Sequence, residues 1–98
     1  MARLELLPNV FEDFNRFSAH LAEFAVSDIP ERIKDIIQAL QVLTRRPLIG
    51  RPLKSGNREL VIGKGSKGYV ALYRFEETID TVFVLAIRNQ REMGYKLP

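Results

Sequence analysis

Apolar residues recur at helical spacing in the first half of the chain and in short β-branched runs in the second. Val10, Phe14, Phe17, Leu21 and Phe24 follow one another at steps of four, three, four and three, which predicts an amphipathic helix over about residues 9–25. Glu12, Asp13, Arg16 and Glu23 are read as its solvent side. Ile29, Ile33, Ile36, Ile37, Leu40 and Leu43 form a second stripe. Asp28 as N-cap, Glu31 three residues on and Pro30 in the first turn predict its start, and Pro47 its end near Thr44. Two helices joined by so few residues form a hairpin.

The remaining runs read as strands. Leu4–Leu7 is short and closed by Pro8, and Arg58–Ile62, Tyr69–Phe75 and Thr81–Arg88 follow the loops. Val82–Ile87 is apolar throughout, so neither face of that strand suits water, and it is expected to be a central strand covered on both sides. Were the extended geometry to continue, Arg88 and Gln90 would share one side and Asn89 and Arg91 the other. Residues 45–57, with Pro47, Gly50, Pro52 and Gly56, read as a loop pinned by Leu48, Ile49 and Leu53 with its cations outward. The glycine-rich Gly63–Gly68 lies between two strand patterns. A phosphate loop needs a helix after it, so a hairpin turn is expected instead. The order β-α-α-β-β-β predicts an α+β fold, a helical hairpin packed on a small, mostly antiparallel sheet, as one domain over 1–98.

Composition narrows the chemistry. Ninety-eight residues with 46% apolar content leave room for one core. With no cysteine, thiol catalysis and thiolate metal sites are excluded. His20 is the single histidine, so no metal site and no cofactor are expected. The N-terminus lacks a signal-like apolar core and no run approaches the roughly 18 apolar residues of a membrane span, so a cytoplasmic protein without membrane contact is expected.

Charge is unevenly divided. Residues 1–43 hold four basic groups against seven acidic ones, a net of −3, whereas 44–98 hold eleven against five, a net of +6. The excess gathers in Arg45, Arg46, Arg51, Lys54, Arg58, Lys64 and Lys67, opposed only by Glu59, and suits either an anionic partner, nucleic acid or an acidic protein segment, or a surface that only keeps the protein in solution. The candidate binding set is Arg51, Lys54, Arg58, Lys64, Arg88, Asn89, Gln90 and Arg91, with the tyrosines Tyr69, Tyr73 and Tyr95 able to stack or donate a hydroxyl. If the site cleaved RNA, Arg58, Arg88, Arg91 and Tyr95 would be the catalytic candidates. Such a reaction also needs a group to move protons, and no obvious base accompanies them.

The element order, Arg58–Ile62, Gly68–Arg74 and above all Val84-Leu85-Ala86-Ile87-Arg88-Asn89-Gln90-Arg91-Glu92 followed by Gly94-Tyr95 resemble the RelE/ParE superfamily over roughly 4–95. These are toxins of type II toxin–antitoxin systems, also called plasmid stabilisation proteins. The resemblance implies a small cytoplasmic toxin neutralised by a cognate antitoxin, as a dimer or a toxin–antitoxin hetero-oligomer. RelE-like members cleave messenger RNA on the ribosome, and ParE-like members act on DNA gyrase. Arg88, Gln90, Arg91 and Glu92 match the signature, but Asn89 stands where a histidine is often found, and an amide neither takes nor gives a proton at neutral pH. That departure, with Glu59 and Val70 where nucleases carry cations, favours a ParE-like toxin that binds a protein such as gyrase. The alternatives are a RelE-like ribosome-dependent messenger endoribonuclease and a non-toxic antitoxin-binding module.

Overall fold

A computed structural model describes residues 1–24, 27–64 and 68–97. Strand β1 (Arg3–Leu6) leads into helix α1 (Pro8–Glu23), followed by α2 (Ile29–Leu40) and the short α3 (Val42–Arg45). Strands β2 (Arg51–Pro52), β3 (Arg58–Ile62), β4 (Tyr69–Glu76) and β5 (Thr81–Asn89) complete the chain, with one 3-10 turn at Glu77–Ile79. The five strands form one sheet in the order β1-β5-β4-β3-β2. β1 lies parallel to β5, and the other neighbours are antiparallel. The α+β architecture, with helices on one face of a mostly antiparallel sheet, is the one the sequence predicts.

The core fills the space between the helices and one sheet face. Val10, Phe14 and Phe17 of α1, Ile36 and Leu40 of α2 and Leu43 of α3 meet Tyr69, Ala71, Tyr73, Val82, Val84 and Ile87. Most of both stripes is thus buried, removing apolar area worth roughly 25 cal/mol per Å² from water, but Phe24, the last member of the first stripe, lies past the end of α1 and is 69% exposed.

Several expectations need correction. Leu48 and Ile49 are 59% and 41% exposed, so they do not pin the basic loop to the body. Asp28 does not cap α2 through its side chain. Its backbone is left-handed (φ 65°), and side-chain capping needs an extended cap residue. The basic loop contains a strand, because Arg51 and Pro52 pair with Glu59 and Arg58 at the sheet edge, where a proline costs no ladder bond. Val82–Ile87 is interior in the sheet but not sealed on both faces. Val82, Val84, Ala86 and Ile87 are buried, whereas Phe83 and Leu85 are half-buried. A register shift sets Ala86 opposite Leu72 but Val84 opposite Tyr73, so Leu85 is an extra, bulged residue, and Val84 and Ile87 both face the helices. Finally, β5 ends at Asn89 and the chain turns, so the alternation does not continue through Arg91. The end of the first predicted helix, beyond Phe24, and the middle of the Gly63–Gly68 turn fall outside the described residues.

Candidate target-binding face

The sheet face turned away from the helices gathers charge. Register places Arg51, Glu59, Leu72 and Ala86 in one row across β2, β3, β4 and β5, and Arg88 lies two residues further along β5 on the same face. After Asn89 the chain doubles back and brings Tyr95 over this row. The Tyr95 hydroxyl donates to Glu59 Oε2 at 2.5 Å, while Arg51 Nη2 donates to Oε1 at 2.6 Å. The Arg88 guanidinium stands 5.2 Å from the Tyr95 ring centre, a cation–π distance, and donates to the carbonyls of Asn89, Gln90 and Glu92 at 3.1–3.4 Å. Glu59 is thus a buried carboxylate held between an arginine and a tyrosine, with a second arginine close by.

Burial opposes the ionised form of Glu59, but the hydrogen bonds from Tyr95 and Arg51 and the charges of Arg51 and Arg88 outweigh it, so its carboxyl titrates below the ordinary value. Burial, then the bond to the Glu59 carboxylate, pushes the Tyr95 hydroxyl far above the ordinary tyrosine range. Tyr95 is accordingly a fixed donor near neutrality, and Glu59 a fixed acceptor.

Along the edge of this same stretch of β5, β1 stops at Leu6, opposite Val84, and leaves the rest of the strand without a strand neighbour on that side. Side chains take over from the strand. Asn9 Nδ2 donates to the Leu85 carbonyl at 3.4 Å, Asp13 Oδ2 accepts the Ile87 N–H at 2.8 Å, Arg16 Nη2 reaches the Ile87 carbonyl at 3.5 Å, and Glu92 Oε1 accepts the Asn89 N–H at 2.8 Å. Arg16 also bridges Asp13 (2.7 Å) and Glu92 (3.0 Å). Two carbonyls and two N–H groups of that backbone stretch thereby gain side-chain partners, as a covered strand edge requires. Asp13, read from the sequence as solvent-facing, is 1% exposed. Its step of three from Val10 puts it on the apolar side of the helix, where the strand edge needs an acceptor. Glu92, despite the cost of burial, titrates below the ordinary value because of the Asn89 N–H and Arg16.

The predicted residues divide accordingly. Arg51, Arg88 and Tyr95 converge on Glu59. Arg58 faces the other way, with Nη1 donating to the carbonyls of Leu48 (3.0 Å) and Gly50 (2.9 Å), and so pins the basic loop. Asn89 shapes the turn, its Oδ1 accepting the Arg91 N–H at 2.9 Å. Gln90 donates its backbone N–H to the Gly68 carbonyl at 3.0 Å. Arg91 projects on the helix side, into a groove with Phe17, Leu21, Phe24, Arg32 and Tyr69. Lys54 and Lys64 are exposed. His20 is exposed, its ring 5.1 Å from that of Phe24. Among the described residues no three His, Cys, Asp or Glu side chains come together as metal ligands, and no helix is long and apolar enough to cross a membrane.

Asp13, Arg16, Glu59 and Glu92 are site-forming residues outside the candidate set read from the sequence, although Glu92 belongs to the matched signature. The available signal was that Glu59 is the one acid inside the basic run.

The two depressed carboxyls predict an acid response. Each protonates in the unfolded chain near the ordinary value of about 4.5 and in the folded chain only below it, so their stabilisation is complete above about pH 4.5 and lost as pH falls through the folded values. The urea midpoint should drop below about pH 4.5, and the drop should be shallower in Glu59→Gln/Glu92→Gln. An equally steep drop in that double variant would assign the acid response to other groups.

Comparison with known proteins follows the same outline. Residues 4–94 match the family model described as the ParE toxin of type II toxin–antitoxin system, parDE. The fold is similar to one in the crystal structure of the toxin–antitoxin complex RelBE2 from Mycobacterium tuberculosis, with a TM-score of 0.53, 24% identity, and 91% of this chain and 98% of that one covered. No curated protein matches the chain.

Proposed function

Because the chain belongs to the ParE toxin family of type II toxin–antitoxin systems, we propose that it acts by binding a protein target such as DNA gyrase, without bond-breaking chemistry, and that a cognate antitoxin neutralises it in the cytoplasm. The observation that carries this reading is the closed state of the Arg51–Glu59–Tyr95–Arg88 cluster. Its carboxylate is spent on Arg51 and Tyr95, and its tyrosine is held protonated. Cleavage of RNA by its own 2′-hydroxyl needs a group that gives up and takes back a proton near neutrality, and the cluster holds none in that state. Asn89 supplies a turn instead of an acid or base.

For the antitoxin the same surface suggests an acidic, amphipathic segment laid across the sheet and the basic loop, joining apolar anchors to charge complementarity.

Induced expression tests the reading. Filamentation with DNA damage and intact messenger is expected, relieved by coexpression of the neighbouring reading frame and by the Arg88→Ala/Arg91→Ala variant. Codon-position cleavage of messenger during translation, or growth unaffected by the wild-type protein, would overturn it.

A further inference from the structure

We infer that Glu59 is a specificity-determining residue, filling from within the chain the place among Arg51, Arg88 and Tyr95 that a backbone phosphate of single-stranded RNA would otherwise take. A carboxylate and a phosphodiester present the same thing to a guanidinium, two oxygens sharing one negative charge, and both accept its paired N–H groups. Here both carboxylate oxygens are occupied, Oε1 by Arg51 and Oε2 by Tyr95. The Arg88 charge faces the same pair across the Tyr95 ring. The Glu59 side chain is 9% exposed, so water does not compete for it, whereas that of Arg51 is 69% exposed and can reach a ligand once released. Beside the cluster lie Leu72 and Ala86, buried and uncharged.

The consequence is a face that looks basic in composition but is self-neutralised where its cations meet. An external phosphate would have to displace an anion already fixed on a strand, which pays no ordering entropy to stay. Removing the Glu59 charge leaves two arginines and a tyrosine with no anion of their own, the 69% exposed Arg51 free to turn to an external phosphate, and an aromatic ring available to a base. This inference rests on the reading that the protein does not act on RNA, and gives the physical reason.

The test is binding of a short, labelled single-stranded RNA followed by fluorescence anisotropy. Glu59→Gln should bind about tenfold tighter than wild type, with the slope of log affinity against log salt steeper by about 0.7, the share of one added phosphate contact. Glu59→Gln/Arg88→Gln should return to the wild-type value. In the otherwise wild-type protein, Arg51→Gln should change RNA affinity less than about twofold, because that charge is already spent. A folded Glu59→Gln that binds no tighter overturns the inference, as does a tenfold loss on Arg51→Gln alone. Should Glu59→Gln not fold, Glu59→Thr, which suits a strand, carries the same expectation, and the Arg51 arm stands by itself. The assay reads no toxicity, so its failure leaves the protein-target reading in place. Messenger cleavage by the wild-type protein would remove that reading without involving these variants.

Discussion

Asp13→Ala is expected to lower the unfolding free energy by about 3 kcal/mol, seen as a reduced urea midpoint at unchanged slope. The carboxylate is 1% exposed and has two tasks. It accepts the Ile87 N–H at 2.8 Å and pairs with Arg16 at 2.7 Å. Alanine leaves a buried amide without an acceptor, which costs about 1–3 kcal/mol, and deprives a guanidinium of one of its two carboxylates. The Arg16 side chain is 31% exposed and keeps Glu92, so solvent and the second partner take up part of its charge, which places the loss at the lower end for broken buried pairs. Asp13→Asn should fall in between, since an amide oxygen still accepts from Ile87. A loss below about 1 kcal/mol for the alanine variant would mean that water replaces the carboxylate, and that the seam between α1 and β5 is not dry.

Gly50→Ala should cost about 2 kcal/mol by overpacking. A Cβ there would stand 2.5 Å from the Tyr73 hydroxyl and 2.7 Å from the backbone carbonyl oxygen of Glu59. Neither neighbour can yield. Tyr73 is fully buried, with its hydroxyl accepting the Gly50 N–H at 2.8 Å, and the Glu59 carbonyl belongs to a strand. Gly68→Ala makes the instructive comparison, because there the Cβ meets mainly the end of the Gln90 side chain, which can swing away. The Gly68 variant should lose under about 1 kcal/mol. Equal losses at the two positions would show that the loop at Gly50 relaxes as a body. Because Gly50 abuts the strand that carries Glu59, its substitution should also disturb the cluster across the sheet, detectable as a changed acid response of the fold below about pH 4.5.

Much of the fold could be read from spacing. The stripes of α1 and α2 and the three long strands are local patterns, each fixed within about a dozen residues. The sites depend on what local pattern does not carry. Whether Arg58 or Glu59 shares a face with Arg88 is decided by the register of two ladders and by the bulge at Leu85. No residue in Val82–Ile87 announces that bulge. Arg58 therefore looked like a partner of Arg88 and serves the loop instead. Tyr95 reaches Glu59 only because the chain reverses after Asn89. Asp13 is the one case where spacing held the answer. Its neighbours at 10, 14 and 17 are buried apolar residues on the same face, and only its charge argued for solvent. A carboxylate on an apolar stripe signals a buried acceptor whenever an unpaired backbone edge lies opposite.

The seam of Asn9, Asp13 and Arg16 against β5 and Glu92 also bears on how the chain reaches its native state. Its hydrogen bonds join residues 71–76 positions apart, so α1 carries a charged group on its core-facing side that finds no backbone donor until the last strand is in place. On the ribosome the helix emerges first and β5 last, and contacts of such sequence separation slow folding because loop closure comes before their reward. Nascent chains stalled before Ile87 should therefore remain sensitive to protease along α1, and become protected in a single step once the final strand has left the exit tunnel.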